Sequence, residues 1–297
     1  MMKTAFVFPG QGSQSIGMGK DLAEKYLDQA NEILGFDLKK ICFEGPAEEL
    51  QKTEITQPAI LTVSVAAFES FTAHASHLTP HSPQPTAVAG HSLGEYSALV
   101  AAKAISFQDA VKTVHLRGKF MQAAVPLGEG AMSAIIGGDN ETIKKICTEV
   151  GNVWPANFNS PGQVVISGKK EAVEKASAKI KQAGAKRVIP LAVSAPFHCP
   201  LMQPAADNLK IELAKIEIKD AQAPVVANVT ADYVTKAEEI RELLYRQVTS
   251  PVLWEDSVKK MIADGVTSFI EVGSGSVLAG LIKKIDRAVE IKSYLDI

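Results

Sequence analysis

Gly90-His91-Ser92-Leu93-Gly94 sets a serine between two glycines in the spacing G-x-S-x-G, directly after the apolar run 86–89 and directly before the helix-forming run Glu95-Tyr96-Ser97-Ala98-Leu99. A sharp strand-to-helix elbow needs small residues on both sides of the serine, and it leaves the hydroxyl exposed. The serine then stands at a helix N-terminus, where free N–H groups and the helix dipole favour the negative oxygen of a tetrahedral intermediate. Acyl chemistry suits such a place. The same five residues would also serve as a glycine-lined helix start with a capping serine.

A serine hydroxyl is a weak nucleophile at neutral pH and needs a base within hydrogen-bond reach. Six histidines are available. His74, His77 and His81 cluster at the end of a predicted helix and in a Pro-rich connection; their spacing hints at a metal, but no carboxylate completes the set, and a solvated helix end is the plainer reading. His91 adjoins the serine, and neighbours at a sharp turn point apart, so it reads as packed behind the reacting groups. His115 lies inside a predicted helix. His198 differs, because Pro196 and Pro200 fix a non-helical loop around it just after a strand, and loops on a rigid scaffold commonly carry catalytic groups. A lone loop histidine is often structural; as the one well-placed partner downstream of Ser92, His198 becomes the preferred base. No Asp or Glu holds an obvious loop position for the third member of a triad, which points to a dyad.

These residues need a scaffold, and the pattern of the chain describes one. For the first 125 residues, strand-length apolar runs alternate with helical periods, the signature of an α/β fold. Strands are predicted at 3–8 and 86–89, and helices at 21–34, 57–75, 92–103 and 107–124. Pro126, Gly128 and Gly130 then break the rhythm. Strand 131–136, helix 141–150, strands 153–158 and 164–167, helix 172–182 and strand 187–191 follow, the βαββαβ order of a ferredoxin-like unit. The first rhythm resumes with helix 201–213, strand 225–227, helices 237–248 and 252–263 and strand 268–272. The expectation is an α/β large domain made of 1–127 and 197–297, interrupted by a small domain at 128–196.

Composition narrows the function classes. The chain has 297 residues, 46% of them hydrophobic and 22% charged, too apolar for a disordered chain. Its 31 Lys plus Arg against 33 Asp plus Glu give a net charge of −2, which removes the electrostatic footprint of a nucleic-acid or anionic-membrane binder. Cys42, Cys147 and Cys199 are far apart and form no CxxC pair, so neither a disulfide framework nor a cysteine zinc site is expected, in keeping with a reducing compartment. No apolar stretch reaches a signal-peptide core or the ~18 residues of a membrane span. A cytoplasmic protein is expected, or a stromal one if the chain works in an organelle. Two glycine clusters raise nucleotide binding and fail its patterns. In Gly10-Gln11-Gly12, Ser15 and Met18 stand where Gly and Lys are needed, and after Gly273 and Gly275 it is Leu278 that occupies the third glycine position.

Pro9-Gly10-Gln11-Gly12-Ser13-Gln14, Gly90-His91-Ser92-Leu93-Gly94-Glu95-Tyr96, Arg117 in His115-Leu116-Arg117-Gly118, Pro196-Phe197-His198 and Gln247-Val248-Thr249-Ser250-Pro251-Val252-Leu253-Trp254 together resemble the malonyl-CoA:acyl carrier protein transacylase family, in order and over essentially the whole chain. The resemblance implies a hydrolase-like α/β domain with a ferredoxin-like insertion. It implies Ser92 as the acylated nucleophile and His198 as general base, oriented by main-chain carbonyls in place of a triad carboxylate. Gln11 and the Leu93 N–H are implied as the oxyanion hole, and Arg117 as the grip on the malonyl carboxylate. A guanidinium can hold a carboxylate with two parallel charge-assisted bonds, as lysine cannot; on sequence alone a helix-surface arginine is the better reading of Arg117, and only the resemblance reverses it. Phe197 resembles the bulky ring of malonyl-selective members. Gln247 matches a position beside the active site, where its backbone would orient His198, and Asn157 and Asn159 would line the cleft or make a hairpin turn. The implied activity is ping-pong malonyl transfer from malonyl-CoA to the phosphopantetheine thiol of acyl carrier protein, supplying extender units for fatty acid synthesis, by a monomer with no metal and no cofactor. The alternatives are a serine thioesterase or hydrolase of similar fold, and a non-catalytic module binding coenzyme A or a carrier protein.

Overall fold

The computed structural model describes residues 3–78, 85–193 and 195–296, except for the side chains of 74–78 and 296. The His74, His77 and His81 cluster falls outside the side chains so described. In chain order the first part runs β1 (Lys3–Phe8), α1 (Glu24–Leu34), α2 (Leu38–Glu44), α3 (Ala47–Leu50), α4 (Thr53–Leu78), β2 (Ala87–Gly90), α5 (Gly94–Ala101) and α6 (Phe107–Ala123). Then come β3 (Gly130–Ile136), α7 (Asn140–Val150), β4 (Val153–Ser160), β5 (Gln163–Lys169), α8 (Lys170–Gln182) and β6 (Arg187–Pro190). The chain closes with α9 (Gln203–Leu213), β7 (Val225–Ala227), β8 (Asp232–Val234), α10 (Ala237–Gln247), α11 (Trp254–Ala263), β9 (Val266–Glu271), α12 (Val277–Ile285) and β10 (Glu290–Ser293).

The larger sheet has the order β10-β9-β1-β2-β7-β8, parallel throughout except for the β7–β8 pair. Helices cover both faces, so the central strand β1 is apolar and buried at four consecutive positions, Ala5 to Phe8, rather than alternating. In β1, Phe6 and Phe8 enter the core under α4 and α5, while Ala5 and Val7 enter the core on the opposite face with Trp254 and Phe269. The smaller sheet is antiparallel in the order β4-β5-β3-β6, with α7 and α8 packed on one face over Ile135, Ile143, Val164, Ile166 and Val173.

The two sheets are stitched together along β4. Phe158 N–H donates to the Val252 carbonyl and Val252 N–H to the Ala156 carbonyl, each at 2.9 Å. His91 reaches across to Asn159, and Lys284 Nζ donates to Gln163 Oε1 at 3.0 Å.

Two helix boundaries differ from the expectation for reasons that bear on the site. The helix expected from residue 92 starts at Gly94, because Ser92 is in the left-handed region at φ 52° and cannot be a helical residue. The helix expected from residue 57 starts at Thr53, so Pro58 lies inside it. The Glu54 carbonyl, which Pro58 has no N–H to reach, accepts from Nδ1 of His115 at 2.8 Å. His115 thus repairs α4. No helix among the described residues is long and apolar enough to cross a membrane.

Candidate active site

The serine is held by a turn that requires glycine at positions 90 and 94. β1 and β2 run side by side, with Phe8 opposite Gly90. A Cβ on Gly90 would fall on the main chain of Gly94, and one on Gly94 would fall on the Phe8 carbonyl. Ser92 at φ 52° carries strain of about 1 kcal/mol. Asn228, wholly buried at the end of β7, offsets it: Oδ1 accepts from the Ser92 N–H at 2.7 Å and Nδ2 donates to the Gly90 carbonyl at 2.7 Å.

His198, also left-handed at φ 58°, brings Nε2 to 2.7 Å from Ser92 Oγ. Its Nδ1 lies 2.9 Å from the Gln247 carbonyl. A carbonyl can only accept, so Nδ1 carries the proton and Nε2 offers its lone pair to the serine hydroxyl. Among the described residues no carboxylate touches the ring. Burial, and then the Arg117 cation, push the imidazole down from 6.5 to about 3, so it is neutral and able to take a proton at any working pH. The sign for stability follows: as pH falls below 6.5 the unfolded chain takes up a proton that folded His198 refuses, so stability present above pH 6.5 drains by up to about 1.4 kcal/mol per pH unit. In His198→Gln, urea unfolding midpoints at pH 6.5 and 4.5 should therefore differ less than in the parent chain. An equal difference would mean the ring is not held neutral.

Arg117, on α6, is 1% exposed. Gly118 lets α6 approach α4 closely, since a Cβ there would sit 2.7 Å from Glu54 Cα, and the guanidinium thereby reaches the serine. Nη1 donates to Gln57 Oε1 at 2.8 Å; Nη2 donates to Gln247 Oε1 at 2.9 Å and to Ser92 Oγ at 3.1 Å. Nε has no partner among the described residues. The arginine is a buried cation with no direct carboxylate partner, an arrangement that costs free energy unless an anion arrives.

A cavity of about 120 Å³ opens on this group, lined by Gln11, Gln57, His91, Ser92, Leu93, Arg117, Met121, Met132, Asn157, Phe197 and His198 among others. The Leu93 N–H has no hydrogen-bond partner among the described residues and directly follows Ser92. Gln11 is exposed at the rim. His91 Nε2 lies 2.8 Å from Asn159 Oδ1 and its ring lies 5.8 Å from that of Trp254, so it packs across the seam between the sheets. Gln247 does more than its position suggests: its carbonyl orients His198, and its side chain bonds Arg117, Ser92 O and Glu95.

Gln57, Glu95 and Asn228 are the residues the sequence reading missed. Gln57 stands as a polar residue at the head of the apolar run 58–61, and Asn228 as a polar residue at the carboxyl end of a parallel strand, where open α/β sheets place their sites. Glu95 directly follows the serine motif, yet only the fold reveals that it is buried. Desolvation raises its carboxyl from 4.5 to about 7, against bonds from the Asn228 N–H and Gln247 that lower it.

Residues 5–295 match the acyl transferase domain family. The chain belongs to that family. This acyl transferase is 54% identical over 306 residues to the malonyl CoA-acyl carrier protein transacylase of Bacillus subtilis, covering 100% of this chain and 94% of that protein. It is 53% identical to the one from Escherichia coli strain K12, covering 96% and 93%. The solved malonyl CoA-acyl carrier protein transacylase of Coxiella burnetii superposes with a TM-score of 0.94 at 45% identity over 99% of this chain and 94% of that one. A malonyl-transacylase solved in complex with its type II PKS acyl-carrier protein gives 0.92 at 48% identity over 98% and 94%.

Proposed function

We propose that this acyl transferase carries a malonyl group from coenzyme A to the phosphopantetheine thiol of an acyl carrier protein through a malonyl ester on Ser92, supplying extender units for fatty acid synthesis. The observation that carries this reading is Arg117: a buried guanidinium beside the nucleophile, with an unused N–H and no carboxylate of its own, suits an acyl group that ends in a carboxylate.

In the first half-reaction His198 Nε2 takes the Ser92 proton as Oγ bonds the thioester carbon. The oxyanion that forms is met by the Leu93 N–H and by Gln11 at the rim. Collapse breaks the carbon–sulfur bond, and His198 returns the proton to the departing thiol of coenzyme A. The carrier thiol then gives its proton to His198 and attacks the ester; the carbon–oxygen bond breaks and Ser92 regains its proton. Phe197 crowds the acyl chain, against substituents next to the carbonyl. As written, the chemistry needs no cofactor, both thioesters being substrates. We read the protein as a monomer, since the scheme calls on no residue of a second copy. We read the molecule as a hydrolase-like α/β body, 1–127 and 197–297, with a ferredoxin-like insertion at 128–196; the βαββαβ order and antiparallel β4-β5-β3-β6 sheet support this.

Intact-protein mass spectrometry tests the function. Mixed with malonyl-CoA, the protein should gain one malonyl group that persists in buffer and passes to holo acyl carrier protein. An adduct that water removes as fast as it forms would mark a serine hydrolase, and no adduct a binding module.

A further inference from the structure

Glu95 is 2% exposed, points into the large domain from the first turn of α5, and touches neither Ser92 Oγ nor the cavity. Its Oε2 accepts from the Asn228 N–H at 2.9 Å and from Gln247 Nε2 at 2.8 Å. Gln247 Nε2 donates its second hydrogen to the Ser92 carbonyl at 3.0 Å, and Gln247 Oε1 accepts from Arg117 Nη2 at 2.9 Å. Both donors and the acceptor of this wholly buried amide are therefore engaged.

We propose that Glu95 is a positioning residue for acyl-group selection: by accepting from Gln247 it fixes which way that amide faces, and the amide in turn aims Arg117 at the acyl group on Ser92. This rests on the reading of Arg117 as the carboxylate grip. Flipping the amide would turn its N–H groups on the guanidinium N–H and its oxygen on two acceptors, the Ser92 carbonyl and the Glu95 carboxyl. Only one orientation is satisfied, and the Glu95 acceptor is what makes the other so costly.

The amide between Glu95 and Arg117 has a second effect. A direct ion pair would occupy the guanidinium and leave an incoming carboxylate to compete for it. With Gln247 interposed, its oxygen faces the guanidinium and its nitrogen faces the Glu95 carboxyl. Glu95 thereby holds the arginine in place without consuming the N–H groups the substrate needs.

The test is the ratio of acylation rates of Ser92 by malonyl-CoA and by acetyl-CoA, read by intact-protein mass spectrometry in Glu95→Gln and Glu95→Asp. Both donors report on the same folded fraction, so partial unfolding cancels from the ratio. Glu95→Gln keeps an acceptor at full reach and should hold the ratio within about threefold of the parent chain; Glu95→Asp keeps the charge but falls short of Gln247 and should lower the ratio about tenfold. Gln247→Met, which keeps the carbonyl that orients His198, should lower it at least as much, and adding Glu95→Asp to Gln247→Met should change it no further. Malonyl and acetyl rates falling in parallel in Glu95→Asp would overturn the proposal and leave Glu95 a support of the elbow. So would an unchanged ratio in Gln247→Met. If Arg117→Ala itself lowers both rates alike, the carboxylate reading of Arg117 has failed; if Arg117→Ala is selective and the Glu95 and Gln247 variants are not, only the positioning role has.

Discussion

Arg117→Ala is expected to slow malonyl loading of Ser92 by two to three powers of ten while changing acetyl loading by less than about tenfold. The first figure corresponds to about 3 to 4 kcal/mol, in the range of the cost of leaving one member of a buried charge pair without the other. On the proposed reading the malonyl carboxylate would meet the guanidinium, whose Nη2 stands 3.1 Å from Ser92 Oγ. It would also cancel the cation that, after burial itself, most depresses His198, so the matching substrate would restore basicity to the group proposed to take the serine proton. An acetyl group does neither. In the variant both acyl groups meet the same uncharged cavity, with Gln57 and Gln247 facing it, and the preference between them should collapse. Stopped-flow or quenched acylation with each donor measures this directly, and equal losses for the two would refute carboxylate recognition by Arg117.

Ser92→Ala is expected to lose the malonyl adduct altogether and to lower carrier loading by at least about four powers of ten, as removal of a covalent nucleophile does. The fold should be indifferent. The left-handed turn is no harder for alanine than for serine, and the N–H at position 92 still bonds Asn228, so the urea midpoint should correspond to within about 1 kcal/mol of the parent stability. Thermal or urea unfolding and intact mass, run on one preparation, check both halves. Carrier loading that survives within about a hundredfold would show that acyl transfer does not pass through this serine.

Much of this site could be read before any fold was seen, because its chemistry is local in sequence. The elbow needs Gly90 and Gly94 around Ser92, and the clash each avoids is with main chain; Pro196 and Pro200 fence His198 into a loop. The strands that carry the elbow were legible for a similar reason, since β1 is apolar on both faces. Other parts were legible only by resemblance. Arg117 sits among polar residues on α6, and what buries it is the close approach at Gly118, a tertiary fact. Gln57, Glu95 and Asn228 are ordinary polar residues in sequence; their importance comes from bonds spanning 60 to 152 positions. The short edge strands β8 and β10 and the small helices α2 and α3 were missed because three to seven residues of weakly apolar sequence carry little periodic signal. α12 was hidden behind the glycines at 273 and 275, which drew the eye to a phosphate loop, whereas Glu271 caps that helix by accepting from the Leu278 and Ala279 N–H groups.

The stitching of β4 to the Val252 segment, with His91 bonded to Asn159 across the same line, governs how the enzyme can discriminate. These main-chain bonds tie the two sheets along one line, so the expectation is one rigid block rather than a pair of jaws. Selection between acyl groups then owes nothing to closure around the right one. The die is cast in advance, by a fixed slot and a fixed charge, and each thioester arm either matches the mould on entry or leaves it unchanged.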